Sequence, residues 1–371
     1  MERAELERLR KFSKLREDVF YPKADLMVDD KQLQDLRQLS NENLGLTPDL
    51  VRSTAVRHFG KRLAEVSQNE KQGTFHRLFL IRLIDDSRWL LRFNILGDAW
   101  PGFALHLEAW AAGRVREAGI AAPEILTTDT SRKNCQFDYQ IESVVSGKNL
   151  GEFDEDENTT LRLLKEFGAT LADLHRIQLN GYGWIGIPSL EKLESANFSG
   201  VCSAWSDYLG IRLEAHVGTC EKMGAIDTKL GSRIREHFDE FFTGSKSFRA
   251  SLLHGDPGSH NVMTDGVRIT GLVDWEDCLS GDPIYEIAFW ATFHPARRYR
   301  AFLEGYQKVN TLPADFDSRF WLYFLRVALA KTVHRRRFGY ADRPGRPPAS
   351  ERIINGLKNL ESALSGSPVA L

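Results

Sequence analysis

The chain has 371 residues, enough for two or three domains or for one large two-lobed body. Hydrophobic residues make up 42% and charged residues 27%, which excludes a wholly disordered chain, a collagen-like fibre and a small disulfide scaffold. Lys and Arg number 49 against 51 Asp and Glu, so the net charge is -2; a general nucleic-acid binder is excluded, and any charged site is local.

The first residues, MERAELERLRKFSKLRED, hold no apolar run of the secretory kind. No stretch approaches the roughly 20 apolar residues of a membrane span, and the expectation is a cytoplasmic protein without membrane contact. Cys135, Cys202, Cys220 and Cys278 form no C-x-x-C pair and are expected as free thiols. Residues 1–46 carry Leu6, Leu9, Phe12, Leu15 and Val19, then Leu33, Leu36 and Leu39, at helical spacing. They read as a helical extension, docked on the main body or used for dimerisation. Thr47-Pro48 is a cap followed by proline at the first helical position, predicting a helix to about Phe59 that ends at Gly60.

The period then changes. EVSQNEKQGTFHRLFLIRL reads as strand, polar turn, strand, and RWLLRFNIL as a third strand after the Asp85-Asp86-Ser87 turn. A helix is predicted over Phe103–Glu117, a strand after Pro123, and another over Phe137–Val145, followed by a linker at Ser146–Asn149. This half is an antiparallel sheet with one inserted helix. Beyond it, helices are predicted over Leu161–His175, 203–215 and 229–242, with Asn180–Gly183 as punctuation. Leu252–Asp274 reads as two short strands around a loop, and from Ile284 to about Leu364 the chain is again mostly helical, interrupted by the loop Arg343–Ala349.

The densest chemistry lies in LHGDPGSHNVMTDGVRITGLVDWEDCLSGDPIYEIA, Leu253–Ala288. Asp256 and Asn261 flank a tight Pro-Gly-Ser loop, and the strand pair beyond it returns Asp274 to the same end. An Asp, an Asn and an Asp are hard oxygen donors that suit Mg²⁺ better than zinc. An acid not bound to metal can act as a base toward a hydroxyl. Protein kinases use this order, with the Asn five residues after the first Asp. Arg92 on the third predicted strand can grip nucleotide phosphates, and Glu108 on the inserted helix can pair with it.

HGD-x-x-x-x-N, L-V-D-W and GDP-x-x-E-x-A together resemble the aminoglycoside phosphotransferase family of small-molecule kinases. NEKQGTF is similar to that family's phosphate-loop region, WLLRF to its cation strand and AAPEIL to the strand after its helix; GYGWIG and WSDY also match, so the resemblance runs from about 47 to 300. It implies an α+β, two-lobed, protein-kinase-like fold: an extension over 1–46, a nucleotide-binding sheet lobe over 47–146, and a mainly helical lobe over 147–371 with the catalytic loop and the acceptor region. It implies Asp256 as catalytic base, Asn261 and Asp274 as magnesium ligands, and His254 and Asp282 as supports of the catalytic loop. Arg92 with Glu108 would hold the phosphates of ATP or GTP, Gly73 and Thr74 would lie in the loop covering them, and the strand around Ser143 and Val145 would offer backbone hydrogen bonds to the base. Glu276 and Asp277, near the mouth, would attract a cationic sugar. The implied activity is ATP- and Mg²⁺-dependent phosphorylation of a small-molecule hydroxyl by a monomer or weak dimer, on an aminoglycoside or aminocyclitol antibiotic, as in resistance, or on an endogenous sugar or amino alcohol.

Arg92 stands where many members carry Lys, Glu286 replaces the usual Asp, and 1–46 has no counterpart in the pattern. Arg297, Arg298, Arg300, Arg335, Arg336, Arg337, Arg343 and Arg346 crowd the C-terminal region, either as a solvated face or to meet an anionic ligand. Two further classes are a metal-dependent phosphoesterase built on His254, Asp256, His260 and Asp274, and a kinase-like protein that only binds.

Overall fold

Thr47 opens helix α1 (Pro48–Phe59): its side chain accepts from Leu50 N at 3.2 Å, and Pro48 lies in the first turn. Gly60, at φ 54°, ends the helix. The computed structural model describes residues 5, 7, 9, 17–25, 31, 35, 38–70, 72, 73, 75–97, 103–153, 156–186, 198–244, 248–339 and 348–369.

Strands β1 (Leu63–Gln68), β2 (His76–Leu83), β3 (Arg88–Asn94), β4 (Ile125–Asp129) and β5 (Tyr139–Ser143) form one antiparallel sheet in the order β1-β2-β3-β5-β4. Central β3 alternates with period two. Leu91 and Phe93 enter a core shared with Phe59, Ile81 and Ile141, while Arg92 and Asn94, also buried, face the other way. The loop between β1 and β2 is closed by the Gln72 side chain, which accepts from Leu78 N at 2.9 Å and donates to Leu78 O at 3.1 Å. Helix α2 (Phe103–Glu117) packs Phe103, Leu107, Ala111 and Val115 into a second, larger core belonging to the helical half.

That half contains helices α3 (Glu157–Leu174), α4 (Trp205–Gly210), α5 (Leu213–Lys222), α6 (Thr228–Thr243), α7 (Pro283–Ala291), α8 (Ala296–Gln307), α9 (Phe316–Arg337) and α10 (Ala349–Leu364). Strand β10 (Val262–Thr264) pairs on one side with β11 (Ile269–Leu272) and on the other with the short β6 (Lys148–Asn149). A four-stranded sheet runs β8-β7-β12-β9, from Ser199–Cys202, Tyr182–Gly186, Leu279–Gly281 and Ser251–Leu253. The result is the expected two-lobed α+β arrangement.

Four local expectations change. The linker contributes β6, because Gly147 at φ 107° lets the backbone close onto Thr264 O. The Gly-rich punctuation at 180–183 leads directly into β7, whose alternation is too short to read. The helix expected over 203–215 is two helices, broken where Arg212 takes φ 57°. Leu252–Asp274 holds three strands rather than two. All four cysteines are free. Among the described residues no helix is long and apolar enough to cross a membrane. Residues 340–347, which include Arg343 and Arg346, lie outside the described residues.

Residues 17–25 run through the helical half as an arm with one helical turn at Pro22–Asp25. Phe20 and Tyr21 join the larger core, with Arg326 stacked 3.4 Å above the Phe20 ring. The Val19 carbonyl accepts from Trp184 Nε1 at 2.5 Å, and the Phe20 carbonyl accepts from the Tyr208 hydroxyl at 3.1 Å. Asp25 accepts from the backbone of Phe20 and Tyr21 and lies 2.6 Å from His216 Nε2.

Candidate active site

The loop from β9 to β10 carries His254, Asp256 and Asn261. Its entry is fixed by Glu286 of α7, which accepts from His254 N at 3.0 Å and Gly255 N at 2.7 Å. His175, at the end of α3, holds that carboxylate from behind at 2.9 Å and is itself 2.9 Å from the Tyr306 hydroxyl. Gly255 sits at φ 84°, and a Cβ there would lie 1.7 Å from Asp277 O, so the tight approach requires glycine. The His254 ring donates from Nε2 to Val273 O at 3.0 Å and packs 4.4 Å from Trp275, tying the loop to the residue before Asp274. Its Nδ1 is buried without a hydrogen-bond partner among the described residues.

Contrary to the expectation from sequence, Asp282 does not brace this loop. It caps α7 through Ile284 N at 3.0 Å and pairs with Arg319 at 2.7 Å and the Tyr323 hydroxyl at 2.8 Å. The brace is Glu286, four residues on. The signal lay in the final Glu of GDP-x-x-E; its partner His175 had none.

Asp256 is buried, with Oδ2 3.5 Å from the exposed His260 ring. Asn261 Nδ2 donates to Asp256 O at 2.9 Å, which turns the amide oxygen of Asn261 away from the loop. The Asn261 carbonyl accepts from Val273 N at 3.0 Å, so Asp274 begins where the catalytic loop ends. Asp274 adopts φ 68° with its side chain 42% exposed. A non-glycine residue in that conformation is strained, as is common at functional sites. An amide oxygen and a half-exposed carboxylate make a donor set that fits Mg²⁺. Among the described residues no group of three or more His, Cys, Asp or Glu is disposed to hold a metal.

Arg92 Nη1 lies 2.7 Å from both oxygens of Glu108, the expected pair. Three more carboxylates crowd the same guanidinium: Glu276 at 3.6 Å, Glu142 at 3.7 Å and Asp274 at 3.8 Å. Gln140 Nε2 bridges Glu108 and Glu142 at 3.0 and 3.2 Å. Burial pushes the Glu142 carboxyl above its ordinary value, against the pull of Arg92 and Gln140. Arg92 Nε is buried without a hydrogen-bond partner among the described residues. One cation thus faces four acids, and burial also raises the Glu108 carboxyl well above its ordinary value, so the interior members of the cluster hold a proton more readily than free carboxyls do.

Glu276 belongs to this cluster and not to the acceptor mouth. It is buried, and His76 Nε2 of β2 lies 2.8 Å from its Oε2, joining the lobes. Asp277 is also buried in the short turn Trp275–Asp277. Neither acid lines the cavity beside Asp256. At the hinge, Ser143 N and Oγ are both engaged with Glu124 at 2.8 Å, whereas no partner for the Val145 backbone is found among the described residues. Gly73 lies in the loop between β1 and β2; Thr74 lies outside the described residues.

A cavity of about 660 Å³ opens beside Asp256, walled by the β6 region, the catalytic loop and helices α3, α8, α9 and α10. Tyr21 of the N-terminal arm lines it, a residue that no sequence pattern marked.

A model described as the phosphotransferase enzyme family (APH) matches residues 73–322. Hygromycin-B 4-O-kinase of Escherichia coli is 26% identical over 208 residues, covering 54% of this chain and 56% of that protein, so the match spans little more than half the relative's length. Aminoglycoside phosphotransferase APH(4)-Ia, solved as a thermostable mutant with AMP-PNP and hygromycin B, superposes with a TM-score of 0.59 at 19% identity, over 83% of this chain and 98% of that one. Macrolide 2'-phosphotransferase MphH of Brachybacterium faecium gives 0.56 at 15% identity, over 85% and 98%. These two structures share the fold described above.

Proposed function

This chain belongs to the phosphotransferase enzyme family, and from that premise we propose that it transfers the terminal phosphoryl group of ATP or GTP to a hydroxyl of a small molecule. The observation that carries the reading is the linkage of Asp256, Asn261 and Asp274 through the Asp256 carbonyl and Val273, with Asp256 opening onto a cavity of acceptor size.

Asp256 accepts the hydroxyl proton and orients the attacking oxygen. Asn261 and Asp274 would hold Mg²⁺, which when bound neutralises charge on the phosphates. Arg92, fixed by Glu108, grips the phosphates from the sheet side. The Val145 backbone receives the base, and the loop holding Gly73 lies over the phosphates. Glu286 and His175 keep the catalytic loop in place so that positioning costs nothing at the moment of reaction.

The E. coli relative points to an aminoglycoside or aminocyclitol as the first acceptor to try. An acceptor screen read by ADP release tests the reading. Turnover is expected to require Mg²⁺ and to vanish in Asp274→Ala; undiminished Mg²⁺-dependent turnover in that variant overturns the assignment.

A further inference from the structure

We infer that Tyr21, carried into the helical half by the N-terminal arm, sets which acceptors fit beside Asp256; this rests on the kinase reading above. Tyr21 and Asp256 line the same cavity. Asp256 lies within residues 73–322 matched by the family model and Tyr21 lies outside them, so the arm adds to the cavity a residue that the family match does not cover.

The backbone of the arm is fixed on either side of that ring by side chains from distant elements. Arg212 Nε donates to Asp18 O at 3.0 Å, and Arg337 Nη1 donates to Ala24 O at 2.6 Å. Trp184 and Tyr208 hold the carbonyls of Val19 and Phe20 between them. The Tyr21 carbonyl accepts from Ala24 N and Asp25 N, both at 2.9 Å, and Pro22 restricts the backbone of the residue before it. Satisfying these buried carbonyls ties the arm to one position. Its two rings then do different work. Phe20 meets Tyr208, Tyr285 and Arg326 and does not line the cavity, whereas Tyr21 does.

Tyr21 shapes the cavity through α9. Its hydroxyl accepts from Lys331 Nζ at 2.5 Å, its ring centroid lies 4.0 Å from that ammonium, and the ring stands edge-on to His334 at 5.6 Å and 82°. Lys331 and His334, three residues apart on α9, both line the cavity. One ring from the arm thus positions two further lining residues. Phe289 and Phe293 flank the same ammonium at 4.4 and 4.9 Å, so the side chain is held by aromatic faces from two helices and the arm. Loss of the Tyr21 ring widens the cavity and releases both α9 side chains. A change of one methylene against a fitted wall is worth about 10–200-fold in kcat/KM. Arg92, Glu108 and Asp274 do not line this cavity, so the effect belongs to the acceptor and not to the nucleotide.

The full chain is assayed with hygromycin B and the other compounds of the acceptor screen, and nucleotide binding is titrated with AMP-PNP and Mg²⁺. Tyr21→Ala is expected to raise the KM of the best wild-type acceptor by at least about tenfold and to change the order of kcat/KM across the acceptors, with AMP-PNP affinity kept within about twofold. Tyr21→Phe keeps the ring and is expected to restore the wild-type order. Phe20→Leu, in the arm but off the cavity, is expected to lower the urea midpoint and to leave that order intact, which separates shaping of the cavity from anchoring of the arm. Tyr21→Leu repeats the test if Tyr21→Ala does not fold. An unchanged KM and order in Tyr21→Ala, or the same change of order in Phe20→Leu, overturns the inference. An equal loss in Tyr21→Phe overturns the role given to the ring. Joint loss of acceptor and AMP-PNP binding with a lowered midpoint marks a structural residue and overturns the inference as well. A wild-type chain that turns over no acceptor overturns the kinase reading, and the inference falls with it.

Discussion

Asp256 is the one acid of the Asp/Asn/Asp set that the proposal does not assign to metal, and it lines the cavity. Asp256→Asn is expected to lower kcat by about 10²–10⁴-fold with little change in nucleotide affinity, the pattern of an interaction made in the transition state. Steady-state kinetics beside AMP-PNP titration checks it. Glu286 carries a different kind of burden, since it accepts two backbone N–H groups and faces His175 in a dry interior. Glu286→Gln turns one acceptor into a donor, leaving a buried N–H unmatched at a cost of about 1–3 kcal/mol. The expected result is a lower urea midpoint together with a reduced kcat, because the loop it anchors carries Asp256. An unchanged midpoint would remove Glu286 from the frame.

At the scale of elements, the arm over 17–25 is the part that periodicity described least well. Its contribution comes from Phe20 and Tyr21, two adjacent rings in a core otherwise built from distant helices. Phe20→Ala is expected to destabilise the protein by about 3–5 kcal/mol, measured by denaturant unfolding. The arm also has a pH dependence. His216 is held below its ordinary 6.5, first by burial and then by Arg326, whose Nη1 donates to Nδ1 at 3.0 Å; Asp25 on Nε2 pulls the other way. Arg212 adds further positive charge nearby. A base whose pKa is depressed by folding takes up its proton more readily when unfolded. Docking of the arm is therefore complete above about 6.5 and weakens as pH falls through the folded value. Burial tends to raise the Asp25 carboxyl, but His216 and the Tyr21 N–H leave it below 3.8, so its own contribution is lost only under stronger acid. The protection factors of amides at residues 19–25, referred to intrinsic exchange at each pH, are expected to fall between pH 7.5 and 5, less so in His216→Gln.

Across the whole molecule, the lobes meet through charge. His76 and Arg92 come from the sheet, Glu108 from α2, and Asp274 and Glu276 from the turn after β11. Adding nucleotide phosphates beside this acid-rich cluster is unfavourable unless a divalent cation or a proton enters with them, and Glu108 and Glu142, both raised by burial, are the groups that take the proton. Removal of Mg²⁺ is expected to weaken AMP-PNP binding by at least about tenfold, or about 1.4 kcal/mol. Glu276→Gln is expected to recover part of that loss while leaving the acceptor KM unchanged. The Glu142 carboxyl, raised by burial, takes up a proton more readily in the folded protein than in the unfolded chain. Mg²⁺-free binding should therefore improve as pH falls from neutrality toward that raised value. Calorimetry with and without EDTA across pH separates the two effects.

The sequence by itself determined that a sheet with one inserted helix is followed by a mainly helical part, because alternation on β2 and β3 and 3.6-residue periodicity on the long helices are local consequences of which residues are apolar; the two-lobed plan was implied by the family resemblance. It also determined the Asp256, Asn261 and Asp274 set, since a single short loop and one hairpin carry all three. What depends on residues far apart in the chain was not legible. That Glu286 rather than Asp282 holds the loop depends on which end of α7 faces β9. Glu276 reads as an exposed acid in sequence and is buried only because His76, 200 residues away, lies against it. Tyr21 and Lys331, 310 residues apart, meet only when the arm threads the helical lobe. Burial and charge environment are properties of the packed molecule, and they decide what an acid or a cation can do; sequence spacing decides only which residues can share one loop.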